Sequence, residues 1–194
     1  KIGETKSYET LPGARLLLQQ RLMMQEQIII VGFMGSGKTT VACSVGRKLN
    51  CAVIDLDDFI TGSEGRSPAE IIEQNGENSF REIETRMLAQ VLTQNSAIVI
   101  AAGGGVWTIG ENRLLIAKHE ALTIWLDAPF ELCWNRIQLK RERRPLAPSM
   151  EVAERLYRER QPIYELAEMR IPLAETDSAE EIAIRVVEGL ATNR

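Results

Sequence analysis

Eight residues, Gly32-Phe33-Met34-Gly35-Ser36-Gly37-Lys38-Thr39, match the pattern G-x-x-x-x-G-K-[ST] at every fixed position. A short β-branched run, Ile28-Ile29-Ile30-Val31, precedes them, and a helical segment from about Lys38 to Leu49 follows. Glycines let such a loop curl so that its N–H groups surround a phosphate, at a helix N-terminus whose dipole favours anions. Lys38 can reach the β- and γ-phosphates, and the Thr39 hydroxyl can ligate Mg²⁺. The expected ligand is a nucleoside triphosphate.

Three constellations downstream bear on what receives the phosphoryl group. Asp55-Leu56-Asp57-Asp58 follows the second apolar run, at the carboxyl edge where doubly wound sheets bind ligands. If that strand continues through Asp57, the alternation puts Asp55 and Asp57 on one face beside the phosphates. One could then hold Mg²⁺ through water while the other accepts a hydrogen bond from a hydroxyl. In isolation the same residues would read as a solvated helix start with an aspartate cap. Gly103-Gly104-Gly105 follows the third run directly, and three glycines allow close approach to the backbone. The segment from Arg136 to Arg160 holds eight basic and four acidic residues, net +4 in a chain of −4. Within it, Arg141-Glu142-Arg143-Arg144-Pro145-Leu146-Ala147-Pro148 is a polar loop with two prolines. Most of these arginines belong to a solvated face. Phosphoryl transfer needs one cation over the γ-phosphate, and a mobile arginine loop over about 141–149 can supply it.

The elements that must position these residues alternate along the chain. Strands are expected at 28–31, 52–54, 97–101, 121–126 and, more weakly, 170–173, with helices between. Ser67-Pro68-Ala69-Glu70 is a capping box with proline at the first helical position, and Gly76 is expected to end that helix. Ser178-Ala179-Glu180-Glu181 is a second capping box, opening a C-terminal helix. Continuous apolar strands are buried on both faces, so the sheet should be parallel with helices on each side. The expected fold is α/β, three-layered, with about five parallel strands. Residues 1–24 differ in character and read as an N-terminal extension, with one short helix from Ala14 to Met24. The domain is expected to start near Gln25 and run to residue 194.

Composition agrees with a small globular protein. A length of 194 residues predicts one domain with an appendage. With 44% hydrophobic and 26% charged residues, disordered, collagen-like and low-complexity architectures are excluded. The net charge of −4 and the pI near 5.3 argue against nucleic-acid binding driven by bulk charge. Arginine outnumbers lysine 17 to 6, which favours anion recognition by planar guanidinium groups. Cys43, Cys51 and Cys133 lack metal-ligand spacing and read as reduced thiols in a cytoplasmic protein. The single histidine, His119, reads as a surface residue, which leaves no imidazole for a His-based triad or metal site. No apolar run approaches the roughly 18 residues of a membrane span. Beginning at Lys1, the chain reads as trimmed from a longer one. A monomer is expected.

The order and spacing of six pieces resembles the shikimate kinases, small relatives of the nucleoside monophosphate kinases. These pieces are the phosphate loop, Asp55-x-Asp57, Ser79-Phe80-Arg81-Glu82-Ile83-Glu84, the three glycines, Arg144-Pro145-Leu146, and Arg158-Glu159-Arg160-Gln161-Pro162-Ile163-Tyr164. The resemblance runs from Gln27 to the C-terminal helix and implies a P-loop kinase fold, with ATP as co-substrate and shikimate as acceptor. By that resemblance Asp57 contacts the accepting hydroxyl, and Arg81 and Arg160 grip the acceptor's carboxylate. Gly103, Gly104 and Gly105 line the same pocket, and Arg144 is the lid arginine. Asp55 helps hold Mg²⁺ with Thr39. Gly35, Ser36, Gly37, Lys38, Thr39, Thr40 and Arg144 are expected on the nucleotide, and Arg136 near the adenine. Lys38, Asp57 and Arg144 carry the implied catalysis. Two alternatives are a ligand-sensing domain of a regulator, in which such motifs drift, and a kinase for another polyol acid such as gluconate. Intact motifs favour the enzyme.

Overall fold

The computed structural model describes residues 26–95, 98–140 and 144–192. The expectations for residues 1–24, for Ala97 and for 141–143 of the loop lie outside these residues. The described residues form five strands, β1 (Ile28–Val31), β2 (Val53–Asp55), β3 (Val99–Ala101), β4 (Leu122–Asp127) and β5 (Met169–Pro172). Seven α-helices accompany them: α1 (Lys38–Leu49), α2 (Leu56–Glu64), α3 (Pro68–Gln94), α4 (Gly110–Lys118), α5 (Phe130–Lys140), α6 (Met150–Tyr164) and α7 (Ala179–Thr192). All pairings are parallel, in the order β2-β3-β1-β4-β5, and helices cover the sheet as a three-layer α/β fold. No helix among the described residues is long and apolar enough to cross a membrane.

Hydrophobicity sorts the strands across the sheet. β1 and β3 are buried along their whole length, as their unbroken apolar runs require. The edge strand β5 alternates buried and exposed residues, and Pro172 is tolerated there because an edge strand has no second ladder to feed. Each large apolar side chain that packs on the sheet, such as Ile30, Leu88 or Ile124, contributes roughly 1.5–3 kcal/mol.

Register brings the loops at the carboxyl edge together. Ile30 is level with Ala101, and Asp55 is level with the same residue from the other side. The loops after β1, β2 and β3 therefore leave the sheet side by side, at the point where the chain order reverses.

Two expectations are corrected. The chain does not stop being helical at Gly76. That residue takes φ 84° and ψ 165°, a conformation open to glycine and not to L side chains, and the helix resumes at once to Gln94. Glycine here supplies a kink. The expected capping box at its start is present, with Ser67 and Glu70 bonding reciprocally. The second correction is that β2 ends at Asp55, so Asp55 and Asp57 do not share a strand face. The Asp55 carboxylate accepts from the N–H of Asp57 at 2.9 Å and turns the chain straight into α2. The box at Ser178 and Glu181 also forms.

Candidate active site

The loop between β1 and α1 is shaped by its glycines. Gly32, Gly35 and Gly37 have φ of 144°, 80° and 98°, where a side chain is strained. A Cβ at Gly35 would also stand 2.5 Å from the Cys133 carbonyl oxygen, so the loop lies tight against the start of α5. Lys38 folds back over it, its Nζ donating to the carbonyls of Gly32 and Phe33, each at 3.0 Å. Arg136 Nη1 donates from α5 to the Ser36 carbonyl at 3.1 Å and to that of Gly35 at 3.4 Å.

Thr39 and Asp55 meet across the mouth of this loop, the Thr39 hydroxyl donating to Asp55 Oδ2 at 2.5 Å. Asp55 thus does two jobs, capping α2 through Oδ1 and facing the phosphate loop through Oδ2. Asp57 sits in the first turn of α2, half-buried, in a cleft of about 770 Å³ that Thr39, Thr40 and Asp55 also line.

Gly103, Gly104 and Gly105 form the opposite wall, and the neighbouring side chains explain why they are glycines. A Cβ at Gly103 would lie 2.7 Å from Glu84 Oε1 and 3.0 Å from Asp57 Oδ1. A Cβ at Gly105 would lie 2.2 Å from Arg81 Nη1. The run was expected to admit a ligand. It also admits the protein's own charged groups. The second half of α3 carries Arg81, whose Nη1 donates to Glu84 Oε2 at 2.6 Å and whose Nη2 donates to Glu77 Oε1 at 2.9 Å. Arg160, on α6, is buried and donates through Nη1 to the Gly104 carbonyl at 3.0 Å.

Charge and burial set the proton affinities here. Desolvation beneath the loop lowers Lys38 to about 8, Arg144 pushes it the same way, and Asp57 and Asp55 pull against it. Burial raises the Asp57 carboxyl above the ordinary range and Asp55 adds to the rise, while Lys38 and Arg144 offset part of it. Glu84 is raised by burial as well, and Arg81 holds it back. A lysine lowered to about 8 beside a carboxylate raised in a cleft marks this place as a candidate site.

Most of the residues singled out from sequence gather in this one cleft: Thr39, Thr40, Asp55, Asp57, Arg81, the three glycines, Arg144 and Arg160. Gly35, Ser36, Gly37 and Lys38 form the adjoining loop, and Arg136 lies on that loop's carbonyls outside the cleft lining. Arg144, Pro145 and Leu146 line the cleft from the loop ahead of α6, and Ala147 is buried, which ties that loop down more than its polar sequence suggests. The cysteines are free, with Cys133 buried, and His119 is half-buried at the end of α4.

Three contributors went unassigned. Glu84 stands three residues after Arg81, a helix-face spacing that could have flagged the pair. The first half of α3, through Pro68, Ala69, Ile72 and Glu73, closes one side of the cleft. Tyr164 bonds the Gly104 carbonyl. Only contacts distant in sequence reveal the last two.

Comparison with known proteins agrees with this geometry. A family model described as shikimate kinase matches residues 34–191. A shikimate kinase of Cereibacter sphaeroides is 34% identical over 172 residues, spanning 87% of this chain and 84% of that protein. A solved shikimate kinase from Acinetobacter baumannii in complex with shikimate superposes with a TM-score of 0.80 at 30% identity, covering 87% of this chain and 94% of that one. A gluconokinase from Sinorhizobium meliloti, at 15% identity and a TM-score of 0.58 over 86% of this chain and 92% of that one, shares the fold alone. With its phosphate loop, paired arginines and cleft carboxylate in the order and places described, the chain belongs to the shikimate kinase family.

Proposed function

We propose that this chain transfers the γ-phosphoryl group of ATP to the 3-hydroxyl of shikimate. One observation carries the reading: a single cleft opens from the phosphate loop onto Asp57 and then onto two arginines that flank a glycine wall. A small acid with several hydroxyls needs cations for its carboxylate at one end and a proton acceptor at the other. Arg81 and Arg160 take the carboxylate. Asp57 accepts the hydrogen bond of the attacking hydroxyl and takes its proton as the new P–O bond forms. The bond from the γ-phosphorus to the bridging oxygen breaks, and ADP leaves with that oxygen. Lys38, turned from the loop carbonyls to the phosphates, and Arg144 stabilise the charge on the transferring group.

Thr39 and Asp55 fit Mg²⁺ by the chemistry of their donors, two hard oxygens held together by a hydrogen bond at the mouth of the loop, since Mg²⁺ takes few protein ligands beside phosphates and water. When bound, the ion supplies charge neutralisation on the phosphates. Asp55 keeps its capping oxygen for α2, so the two jobs do not compete.

A coupled ADP-release assay offering shikimate, gluconate and nucleoside monophosphates in turn tests the reading. Turnover with shikimate alone supports it. Turnover with gluconate, or binding of shikimate without ADP release, overturns it.

Three further outcomes are expected. Arg81→Lys and Arg160→Lys keep the charge and lose the planar fork, and each should raise KM for shikimate roughly ten- to a hundredfold while KM for ATP stays within about twofold. An effect on ATP alone would mean the two ends of the cleft are exchanged. Gly105→Ala should leave the fold intact and act through Arg81, since its Cβ would fall on the guanidinium 2.2 Å away. Steady-state kinetics should then show a shikimate KM raised about tenfold, with little change for ATP. An unaltered KM would show that Arg81 is free to grip from elsewhere.

The last concerns protons. Lys38 is charged below about pH 8 and neutral above it. A triphosphate seated on it favours the charged form, so its pKa rises on binding. ATP binding at pH 8 should therefore take up about half a proton per nucleotide, and affinity should weaken as pH rises through that value. Calorimetry in two buffers of different ionisation enthalpy reads the uptake. Buffer-independent heats would remove Lys38 from the phosphate contact.

A further inference from the structure

Tyr164 is the last residue of α6, almost wholly buried, with its ring stacked on Trp125 at 6.2 Å. Its hydroxyl donates to the Gly104 carbonyl at 2.5 Å. Arg160, one helical turn earlier, donates through Nη1 to the same oxygen at 3.0 Å. A carbonyl has two lone pairs, and here one is held by a rigid phenol and the other by a guanidinium. The neighbouring residue adds a third tie, Trp107 Nε1 donating to the Ile163 carbonyl at 2.9 Å, from the turn that follows the glycine wall.

We propose that the Tyr164 hydroxyl is a positioning group for Arg160: it fixes the Gly104 carbonyl in the direction that receives Arg160 Nη1, and so aims the rest of that guanidinium at the acceptor's carboxylate. The inference rests on the reading of Arg160 as a carboxylate grip. The chemistry suits a purely positional role. Burial pushes the phenol up to about 12, although the Arg160 guanidinium, which also meets the hydroxyl directly, pulls the other way. The hydroxyl therefore remains a neutral donor through the working range of pH, and it touches the arginine as well as the carbonyl they share. Arg160 is buried, and a buried guanidinium with one nitrogen tethered can present only the others. The carbonyls of Gly103 and Gly105 are bonded within the loop, whereas that of Gly104 is held from α6 by Tyr164 and Arg160. The ring packing that holds the hydroxyl is independent of it, because the stacking on Trp125 needs only the aromatic face.

Tyr164→Phe removes the hydroxyl and keeps the ring. Relative to the wild-type enzyme, KM for shikimate should rise about tenfold, with kcat and KM for ATP within about twofold. A partly unfolded preparation lowers kcat and moves neither KM, so the split is readable even if stability falls. On an Arg160→Lys background, Tyr164→Phe should add less than about twofold, since the two act as one unit. An unchanged shikimate KM, equal rises in both KM values, or full additivity with Arg160→Lys would overturn the proposal. Absence of shikimate turnover in the wild-type enzyme would instead defeat the proposed function, and so the two failures are distinguishable.

Discussion

Asp57→Asn is expected to lower kcat by about 10²–10⁴-fold while leaving KM for ATP within about twofold. Asparagine fills the same volume and can still accept a hydrogen bond, so the acceptor should bind nearly as before. What is lost is the ability to take the hydroxyl's proton. The raised affinity of Asp57 for protons, caused first by burial and then by Asp55, makes it a better base than a solvated aspartate. The same rise has a cost. As pH falls through its raised value the carboxylate becomes protonated and can no longer accept, so kcat/KM for shikimate should decline on the acid side. That limb should vanish in the Asp57→Asn enzyme. Asp55→Asn should behave differently, raising the Mg²⁺ concentration needed for half-maximal rate, because Asp55 faces Thr39 and not the acceptor. A kcat within about threefold of wild type for Asp57→Asn, with the acid limb retained, would sink the assignment of the base.

What could be read in advance followed the range of the interactions. β1 and α1 match their expected bounds to the residue, because a β-branched run, a glycine loop and a helical stripe are all local signals. Gly76 was equally visible as a break, but whether a helix ends or kinks there depends on what the next turn packs against. Phe80, Met87, Leu88 and Val91 bury themselves in the core and draw the chain back into a helix. α4 carries Asn112 and Ile116 as its buried residues, with no apolar stripe to announce it, and its position could not be bounded from sequence.

The site divides in the same way. The phosphate loop lies within eight residues, so its pattern is wholly local in sequence. Asp55 was open to two readings, a helix cap or a magnesium-side ligand, and the structure shows one oxygen capping α2 and the other bonded to Thr39. The glycine run could be recognised, yet the reason for it lies in Glu84, Arg81 and Asp57, which reach it from two other helices. Tyr164 had no signal beyond its place in a motif, since its significance is a single hydrogen bond to a carbonyl on another loop.

Arg144→Ala carries the other large effect, a kcat lower by about 10³–10⁵-fold, the range for an arginine that stabilises a transferring phosphoryl group. Arg144 lies in the loop ahead of α6, lines the cleft beside Pro145 and Leu146, and is close enough to Lys38 and Asp57 to perturb the protonation of both. A cation so placed pushes the Lys38 proton off and holds the Asp57 carboxylate charged, which places its charge within electrostatic reach of both groups. Its charge is needed most when negative charge spreads over the oxygens of the transferring group, so its contact should strengthen on the way to the transition state. Binding of each substrate alone should therefore change by less than about threefold while kcat collapses, a pattern that separates a transition-state contact from a ground-state one. Arg144→Lys should recover only part of the loss, because an ammonium offers one charge point and not a fork to two oxygens. Removal of Arg144 should also let the Lys38 proton bind more tightly, moving the basic limb of ATP affinity to higher pH. Measuring kcat, both KM values and that limb for Arg144→Ala tests the assignment on three counts. An unchanged kcat, or a loss confined to KM for ATP, would place Arg144 on the ground-state nucleotide and leave the transition-state cation to Lys38 alone.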